Sequence, residues 1–196
     1  MDLFVVVDQT LATRLGQDDE IIDAYVRKIV DEISRILGQL VPPGSINLIG
    51  VKISREENEP FSVLWSNKKV KGVDALVAFV AYARRHINMW KADFLLWLTG
   101  RGLARVSEDH SIEGMTTRGQ VCGPGKAAII SAREDGFNVS LTAAHEISHA
   151  LGAYHDGAGS SKSCPPTDNY LMHPHAGGVG PTYSSCALQS INIFLK

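Results

Sequence analysis

The stretch HEISHALGAYHD, residues 145–156, is the part of this sequence that best predicts how the chain folds. On a helix, His145 and His149 lie one turn apart, about 6 Å along the axis, so both imidazoles project from one face. Gly152 can adopt the left-handed conformation that ends a helix, which brings His155 round as a third nitrogen ligand. The spacing therefore predicts a helix, a sharp turn and a three-histidine metal site.

Three nitrogen ligands leave one open position on a tetrahedral zinc ion, which is typical of a catalytic site rather than a structural one. Water at that position is acidified, and Glu146 lies beside it in the sequence to take its proton. The alternative is an amphipathic core helix whose histidines are only hydrogen-bonded. Three histidines, one glutamate and one glycine at this spacing favour zinc over that alternative.

The motif HExxHxxGxxH followed by aspartate resembles the metzincin metallopeptidases. Asp156 makes the chain similar to the adamalysin (reprolysin) branch, which includes venom, salivary and membrane-anchored disintegrin metalloproteinases. The resemblance implies a methionine turn beneath the zinc, and it assigns this role to Met172, which is not a metal ligand. We expect Asp156 to hydrogen-bond locally and hold the loop after the third histidine.

The resemblance implies an α/β metzincin fold, with a twisted mixed five-stranded sheet, long helices, a zinc helix and an irregular C-terminal subdomain. The periodicity of the chain independently predicts the order β-α-β-α-β-β-β-α, which implies a mixed sheet with helices packed on it. The predicted strands are residues 3–7, 46–53, 94–99, 112–120 and 127–131. The predicted helices are residues 19–40, 72–89 and 139–151.

Length and composition agree with one catalytic domain, residues 1–196, in which 44% of the residues are hydrophobic. We expect an N-terminal subdomain up to about residue 155 and a C-terminal subdomain over about residues 156–196, excised together from a longer zymogen. The net charge of −2 gives no reason to expect nucleic acid as a partner. The apolar stretches are too short for a membrane span.

The three cysteines, Cys122, Cys164 and Cys186, form no CxxC pair. They favour one disulfide and one leftover cysteine in a secreted, extracellular protein, and three reduced cysteines in a cytosolic protein are the alternative. The resemblance implies that Cys164 pairs with Cys186. It also implies that the partner of Cys122 lies after Lys196, so we expect a pro-segment and downstream domains around this chain.

Substrate binding is predicted at an edge strand, because an extended peptide can pair with its free backbone groups. Gly114, Met115 and Thr116 match the edge segment of the resembled family, which more often has alanine in place of Thr116. An ordinary solvated edge strand is the alternative. The resemblance also implies a wall over residues 173–176, beginning with His173 and Pro174, that shapes the pocket for the residue after the cleaved bond.

A calcium ion is the second cofactor that the resemblance implies, since Asp2 and Asp93 match two carboxylate ligands of some adamalysins. Asp2 departs from the usual glutamate, and two solvated acids are the favoured alternative.

The sequence thus predicts a secreted zinc endopeptidase that hydrolyses extracellular protein or peptide substrates, with Glu146 as general base. The alternative is a toxin-like binding protein that keeps the metzincin fold and acts on receptors or matrix with little proteolysis. The intact Glu146 favours the enzyme, because binding alone requires no general base.

Overall fold

The computed structural model describes residues 1–133, 136–174 and 180–196, with the backbone alone at Phe137. The strands are β1 (Asp2–Val7), β2 (Asn47–Ile53), β3 (Val70–Lys71), β4 (Phe94–Thr99), β5 (Leu103–Ala104), β6 (Ser111–Ile112), β7 (Gly114–Thr116) and β8 (Ala127–Ser131). The helices are α1 (Gln9–Arg14), α2 (Asp19–Leu37), α3 (Gly72–Arg84), α4 (Ile87–Trp90), α5 (Gly136–Ala150) and α6 (Ser185–Phe194).

A five-stranded sheet organises the chain, in the order β2-β1-β4-β8-β7. The first four strands are parallel, and β7 pairs antiparallel with β8 at the edge. This confirms the predicted α/β fold with a mixed five-stranded sheet. A second, smaller sheet joins β3, β5 and β6, and the sequence did not predict it.

Helices cover both faces of the large sheet, because successive side chains of a strand point to opposite faces. On one face, Leu3, Val5 and Val7 of β1 belong to a core that includes buried residues of α2 and α5. On the other face, Phe4 and Val6 pack in a core with α3. Because both faces of β1 and β4 are buried, the sequences of these strands consist mainly of consecutive apolar residues.

Helix α2 begins and ends through local interactions. The Asp18 side chain accepts hydrogen bonds from the backbone N–H groups of Glu20 and Ile21, at 2.9 and 3.2 Å, and so caps its first turn. The helix ends at Leu37, three residues before the predicted end at Leu40. The backbone N–H of Leu40 donates to the Leu37 carbonyl instead, which gives a tight turn.

The predicted helix over residues 72–89 is wrong as one element, because the structure divides it into α3 and α4. The break lies at His86, whose backbone is extended, with φ −121° and ψ 95°. The His86 Nδ1 lies 2.9 Å from the carbonyl oxygen of Tyr82. The histidine ring therefore hydrogen-bonds to a carbonyl in the last turn of α3, and α4 begins after it as a separate helix.

The predicted edge strand over residues 112–120 is too long. Residue 112 pairs with β5 in the small sheet, and only residues 114–116 pair with β8. Further along, the backbone N–H groups of Gly119 and Val121 donate to the carbonyls of His149 and Ala150, at 3.0 and 3.2 Å. These groups cap the end of α5, so they are not available to extend the strand. Helix α5 itself starts at Gly136, three residues before the predicted start.

Cys164 and Cys186 form a disulfide, as the resemblance implied, and Cys122 is an exposed free cysteine. Within the described ranges, the helices lack the combination of length and apolar composition that crossing a bilayer requires. The division into two subdomains near residue 155 stays a prediction.

Candidate metal centre

Helix α5 carries the first two predicted ligands and the predicted base. Its side chains Val139, Leu141 and Ile147 are buried in the core, and the one-turn spacing places the rings of His145 and His149 with their centroids 4.6 Å apart. His145 and Glu146 are buried, and His149 is half-buried. The helix thus holds three functional groups on a rigid element.

Gly152 ends this helix with φ +96°. The backbone N–H of Ala153 donates to the Ser148 carbonyl at 3.0 Å, and the N–H of Gly152 donates to the His149 carbonyl at 2.8 Å. This pair of bonds is the Schellman arrangement that a left-handed glycine completes. It reverses the chain within three residues and returns His155 to the helix.

The structure brings the three predicted ligands to one point. The Nε2 atom of His155 lies 3.1 Å from Nε2 of His145 and 3.0 Å from Nε2 of His149. One ligand atom from each of the three rings falls within 4.8 Å of the others. Two nitrogens on a tetrahedral zinc ion, each about 2.05 Å from the metal, would be roughly 3.3 Å apart. The donor set therefore fits zinc.

The ring tautomers also fit a metal. Nδ1 of His145 lies 2.7 Å from the carbonyl oxygen of Leu171, and Nδ1 of His149 lies 2.8 Å from the carbonyl oxygen of Ala153. A carbonyl can only accept, so each Nδ1 carries the proton and each Nε2 keeps its lone pair. Burial lowers the pKa of His145 to about 3 and that of His149 to about 4. Both rings are therefore neutral, which is the form that binds metal.

Glu146 lies between the histidines and the edge strand. Burial raises the pKa of its carboxyl to about 8, and the positive charge of Arg105 opposes this shift. Gly114 of β7 faces the same side chain, and a Cβ added there would lie 2.7 Å from Cγ and 2.9 Å from Oε1 of Glu146. The candidate base and the candidate substrate strand are therefore in close contact.

The Gly114→Ala variant tests this contact. The added methyl must displace either the Glu146 carboxylate or the strand, so we expect kcat/KM for a peptide substrate to fall about tenfold, with zinc content unchanged. Steady-state kinetics and metal analysis measure this. Gly136→Ala is the matched control, since its Cβ would make an ordinary 3.6 Å contact with Tyr25. Equal kinetics in both variants would contradict the expected contact.

The backbone of the predicted methionine turn is hydrogen-bonded to His145 and to the residue after His155. Met172 is fully buried, and the backbone N–H of His173 donates to the Tyr170 carbonyl at 3.0 Å, which closes the turn. The Leu171 carbonyl accepts from His145, and the Met172 carbonyl accepts from the N–H of Asp156 at 2.8 Å. The turn thus supports the ligand set through its backbone.

Asp156 holds the loop after His155, but its partner is distant in sequence rather than local. Its Oδ1 accepts a 2.6 Å hydrogen bond from the Ser184 hydroxyl, and that hydroxyl accepts from the N–H of Ala187 in the first turn of α6. Asp156 is buried, and this desolvation raises the pKa of its carboxyl. The residue therefore joins the third-ligand loop to the last helix.

The predicted substrate-binding residues lie on two elements. Gly114, Met115 and Thr116 form β7, whose outer edge ends the sheet. The Thr116 hydroxyl donates to the Ala127 carbonyl at 2.7 Å, and Met115 packs against the core on the α3 side, so backbone groups are what β7 offers a peptide. In the predicted wall, His173 is half-buried and Pro174 is exposed, while residues 175 and 176 lie outside the described residues.

Asp2 and Asp93, the candidate calcium ligands, lie together. The backbone N–H of Asp2 donates to Oδ2 of Asp93 at 2.7 Å, and Asn47 donates to Oδ1 of Asp2 at 2.9 Å. The thiol of Cys122 lies 3.5 Å from Oδ1 of Asp93. These contacts occupy part of the oxygen set, and calcium binding here stays a prediction.

The sequence did not predict the roles of two backbone groups, the carbonyls of Leu171 and Ala153, which orient the rings of His145 and His149. Every residue has a backbone carbonyl, so no sequence motif identifies the carbonyls that accept these hydrogen bonds. Ser148 is a further case, because its hydroxyl lies 2.7 Å from the Tyr183 hydroxyl and joins the zinc helix to the segment before α6. A polar residue inside an otherwise apolar helix face was the available signal.

Comparison with known proteins agrees with this geometry. Over its full length the chain is 22% identical to the venom metalloproteinase antarease-like TtrivMP_A of Tityus trivittatus, and it spans 55% of that protein. It is 23% identical over its full length to a disintegrin and metalloproteinase with thrombospondin motifs 18 of Mus musculus, of which it spans 16%. The chain thus spans about half, or less, of the length of these relatives.

The fold is also that of a solved structure, archaemetzincin from Methanopyrus kandleri. The TM-score is 0.61 at 16% identity, with 100% of this chain and 95% of that chain covered. The family model Reprolysin_5, which describes metallo-peptidase family M12, matches residues 1–185. With most of its length matched, the chain belongs to metallo-peptidase family M12, as a reprolysin-type metzincin.

Proposed function

We propose that this chain is the catalytic domain of a secreted zinc endopeptidase, with Glu146 as general base. The observation that carries the proposal is the convergence of three histidine Nε2 atoms at a helix that also carries the buried Glu146. A catalytic zinc site needs three protein ligands, an open position and a base. In this proposal His145, His149 and His155 supply the ligands, and Glu146 supplies the base.

Each residue has a role in the proposed reaction. His145, His149 and His155 would hold zinc, which would supply a Lewis acid able to polarise the scissile carbonyl and lower the pKa of a water molecule. Glu146 accepts the proton of that water and then donates it to the leaving amine. Burial raises the pKa of this carboxyl, and the positive charge of a bound zinc ion would lower it, so metal binding favours the ionised form that accepts a proton.

Peptide is the proposed substrate class because β7 is an edge strand of the sheet and Gly114 in this strand contacts Glu146. An extended chain that pairs with β7 would pass directly across the base. The disulfide between Cys164 and Cys186 supports secretion, since such bonds persist in oxidising compartments. The similarity to a venom metalloproteinase also supports a proteinase that acts outside the cell.

Digestion of casein or gelatin by the zinc-loaded protein tests the proposal. We expect cleavage that a zinc-selective chelator abolishes and that added zinc restores, because the histidines alone cannot polarise a peptide bond. Gel electrophoresis of the digests and elemental analysis of the protein provide the two measurements. Protein that binds one zinc ion per chain and cleaves neither substrate would support the binding protein instead.

A further inference from the structure

We propose that Arg118 is a positioning residue for the third zinc ligand, acting through Tyr154. The guanidinium carbon of Arg118 lies 3.8 Å from the centroid of the Tyr154 ring. Tyr154 immediately precedes His155 in the chain, so its ring and the ligand imidazole share one short backbone segment. The inference rests on the proposed zinc-binding role of His155 and adds a residue that the motif does not contain.

Arg118 also reaches the start of that segment. Its Nη1 donates a long hydrogen bond, 3.4 Å, to the carbonyl of Gly152, where the helix ends. The backbone beside it is fixed, because the N–H of Gly119 donates to the His149 carbonyl at 3.0 Å. Arg118 therefore spans residues 152–154, the whole link between the zinc helix and His155, from an anchored position.

The other face of the tyrosine ring is covered by Gly159. A Cβ at that position would lie 2.5 Å from Cδ1 and 2.6 Å from Cε1 of Tyr154, so the ring lies directly against the glycine backbone. Gly159 has φ +52°, a conformation that also favours glycine. The ring is thus held between a cation and a peptide backbone. We name the set Arg118, Tyr154 and Gly159 the Arg–Tyr clamp.

The Arg–Tyr clamp and the contacts of Asp156 together restrain the backbone on both sides of His155. On the C-terminal side, Asp156 is fixed by hydrogen bonds to Met172 and Ser184, at 2.8 and 2.6 Å. His145 and His149 are held by the helix and by their carbonyl acceptors. His155 lies on a loop, so the residues on either side of it help to set the position of its backbone. The clamp fixes the N-terminal flank, and its loss would let the imidazole turn away from the metal.

Zinc release measures this directly, without reference to proteolysis. Zinc-loaded wild-type protein and the Arg118→Met variant are mixed with a colorimetric chelator, and the rate of zinc transfer is recorded. We expect release about fivefold faster from the variant, the factor that loss of one cation–π contact supports. The Arg118→Lys variant should fall between the two, because an ammonium keeps the charge but lacks the flat stacking face.

The matched control is Arg84→Met. The Arg84 guanidinium also lies over an aromatic ring, 5.2 Å from the centroid of Trp90, and donates to the Pro124 carbonyl at 2.9 Å. This stack belongs to α3 and α4, which carry none of the zinc ligands. We expect Arg84→Met to release zinc at the wild-type rate.

Two further variants address the ring itself. Gly159→Ala should accelerate release, because the new methyl displaces the Tyr154 ring while Arg118 is intact. Tyr154→Phe should keep the wild-type rate, since the stacking surface remains. Wild-type release rates in both Arg118→Met and Gly159→Ala, or equal acceleration in Arg84→Met, would overturn the inference. Wild-type protein that holds no zinc would instead overturn the proposed function on which the inference rests.

Discussion

The Glu146→Gln variant is expected to lose peptide hydrolysis by about a thousandfold in kcat while it keeps its zinc. The amide has the shape of the carboxylate but cannot take a proton from water. Glu146 is not among the three nitrogen ligands, so the metal should stay bound. The variant also leaves the contact with Gly114 unchanged in size, which isolates the loss of the base from any steric effect.

Cleavage of a fluorogenic peptide and elemental analysis of the purified variant measure the two quantities. Glu56→Gln, the same change in an exposed loop, is the control and should behave as wild type. Undiminished hydrolysis by Glu146→Gln would refute the assignment of the base. Loss of zinc together with activity would show that the carboxylate helps to hold the metal.

The His155→Ala variant is expected to lose zinc as well as activity. Altering only a group that supports a ligand typically weakens metal affinity by 10–100-fold, so removal of the ligand itself should exceed about 100-fold. Two nitrogens would remain, both on α5. Hydrolysis should therefore fall below detection at substoichiometric zinc.

Competition with a chelator of known affinity gives the zinc dissociation constant, and the fluorogenic peptide gives the residual activity. His110→Ala provides the control, because that imidazole is exposed in the loop between β5 and β6. A full zinc complement in His155→Ala, at wild-type affinity, would mean that the third ligand is another residue.

Three strands of the main sheet, β1, β4 and β8, were predictable because they are short, buried apolar runs. Residues 94–98 are all apolar, and the structure gives β4 the predicted bounds of residues 94–99. The small sheet was not predictable, since β3, β5 and β6 have two residues each and two residues establish no period. The length of β7 depends on backbone bonds to the end of α5, and sequence patterns do not report such distant partners.

The convergence of the three histidines was predictable for a different reason, because it depends almost entirely on local geometry. His145 and His149 need only a helix, and His155 needs only the turn at Gly152. The groups that orient the rings lie elsewhere, as with the Leu171 carbonyl, which is 26 residues from His145. Arg118 and Tyr154 are 36 positions apart, and only the folded chain stacks one on the other.

The disulfide between Cys164 and Cys186 bears on how the three-histidine site is assembled. Its sequence separation is 22 residues, and the loop that it closes contains Leu171, the acceptor for His145. Closing a loop of this size removes conformational entropy from the unfolded chain, worth about 3 kcal/mol in the chain-entropy description. Oxidation of two thiols therefore lowers the entropic cost of bringing that carbonyl to the first histidine, so the redox potential of the surroundings influences how readily the zinc site forms.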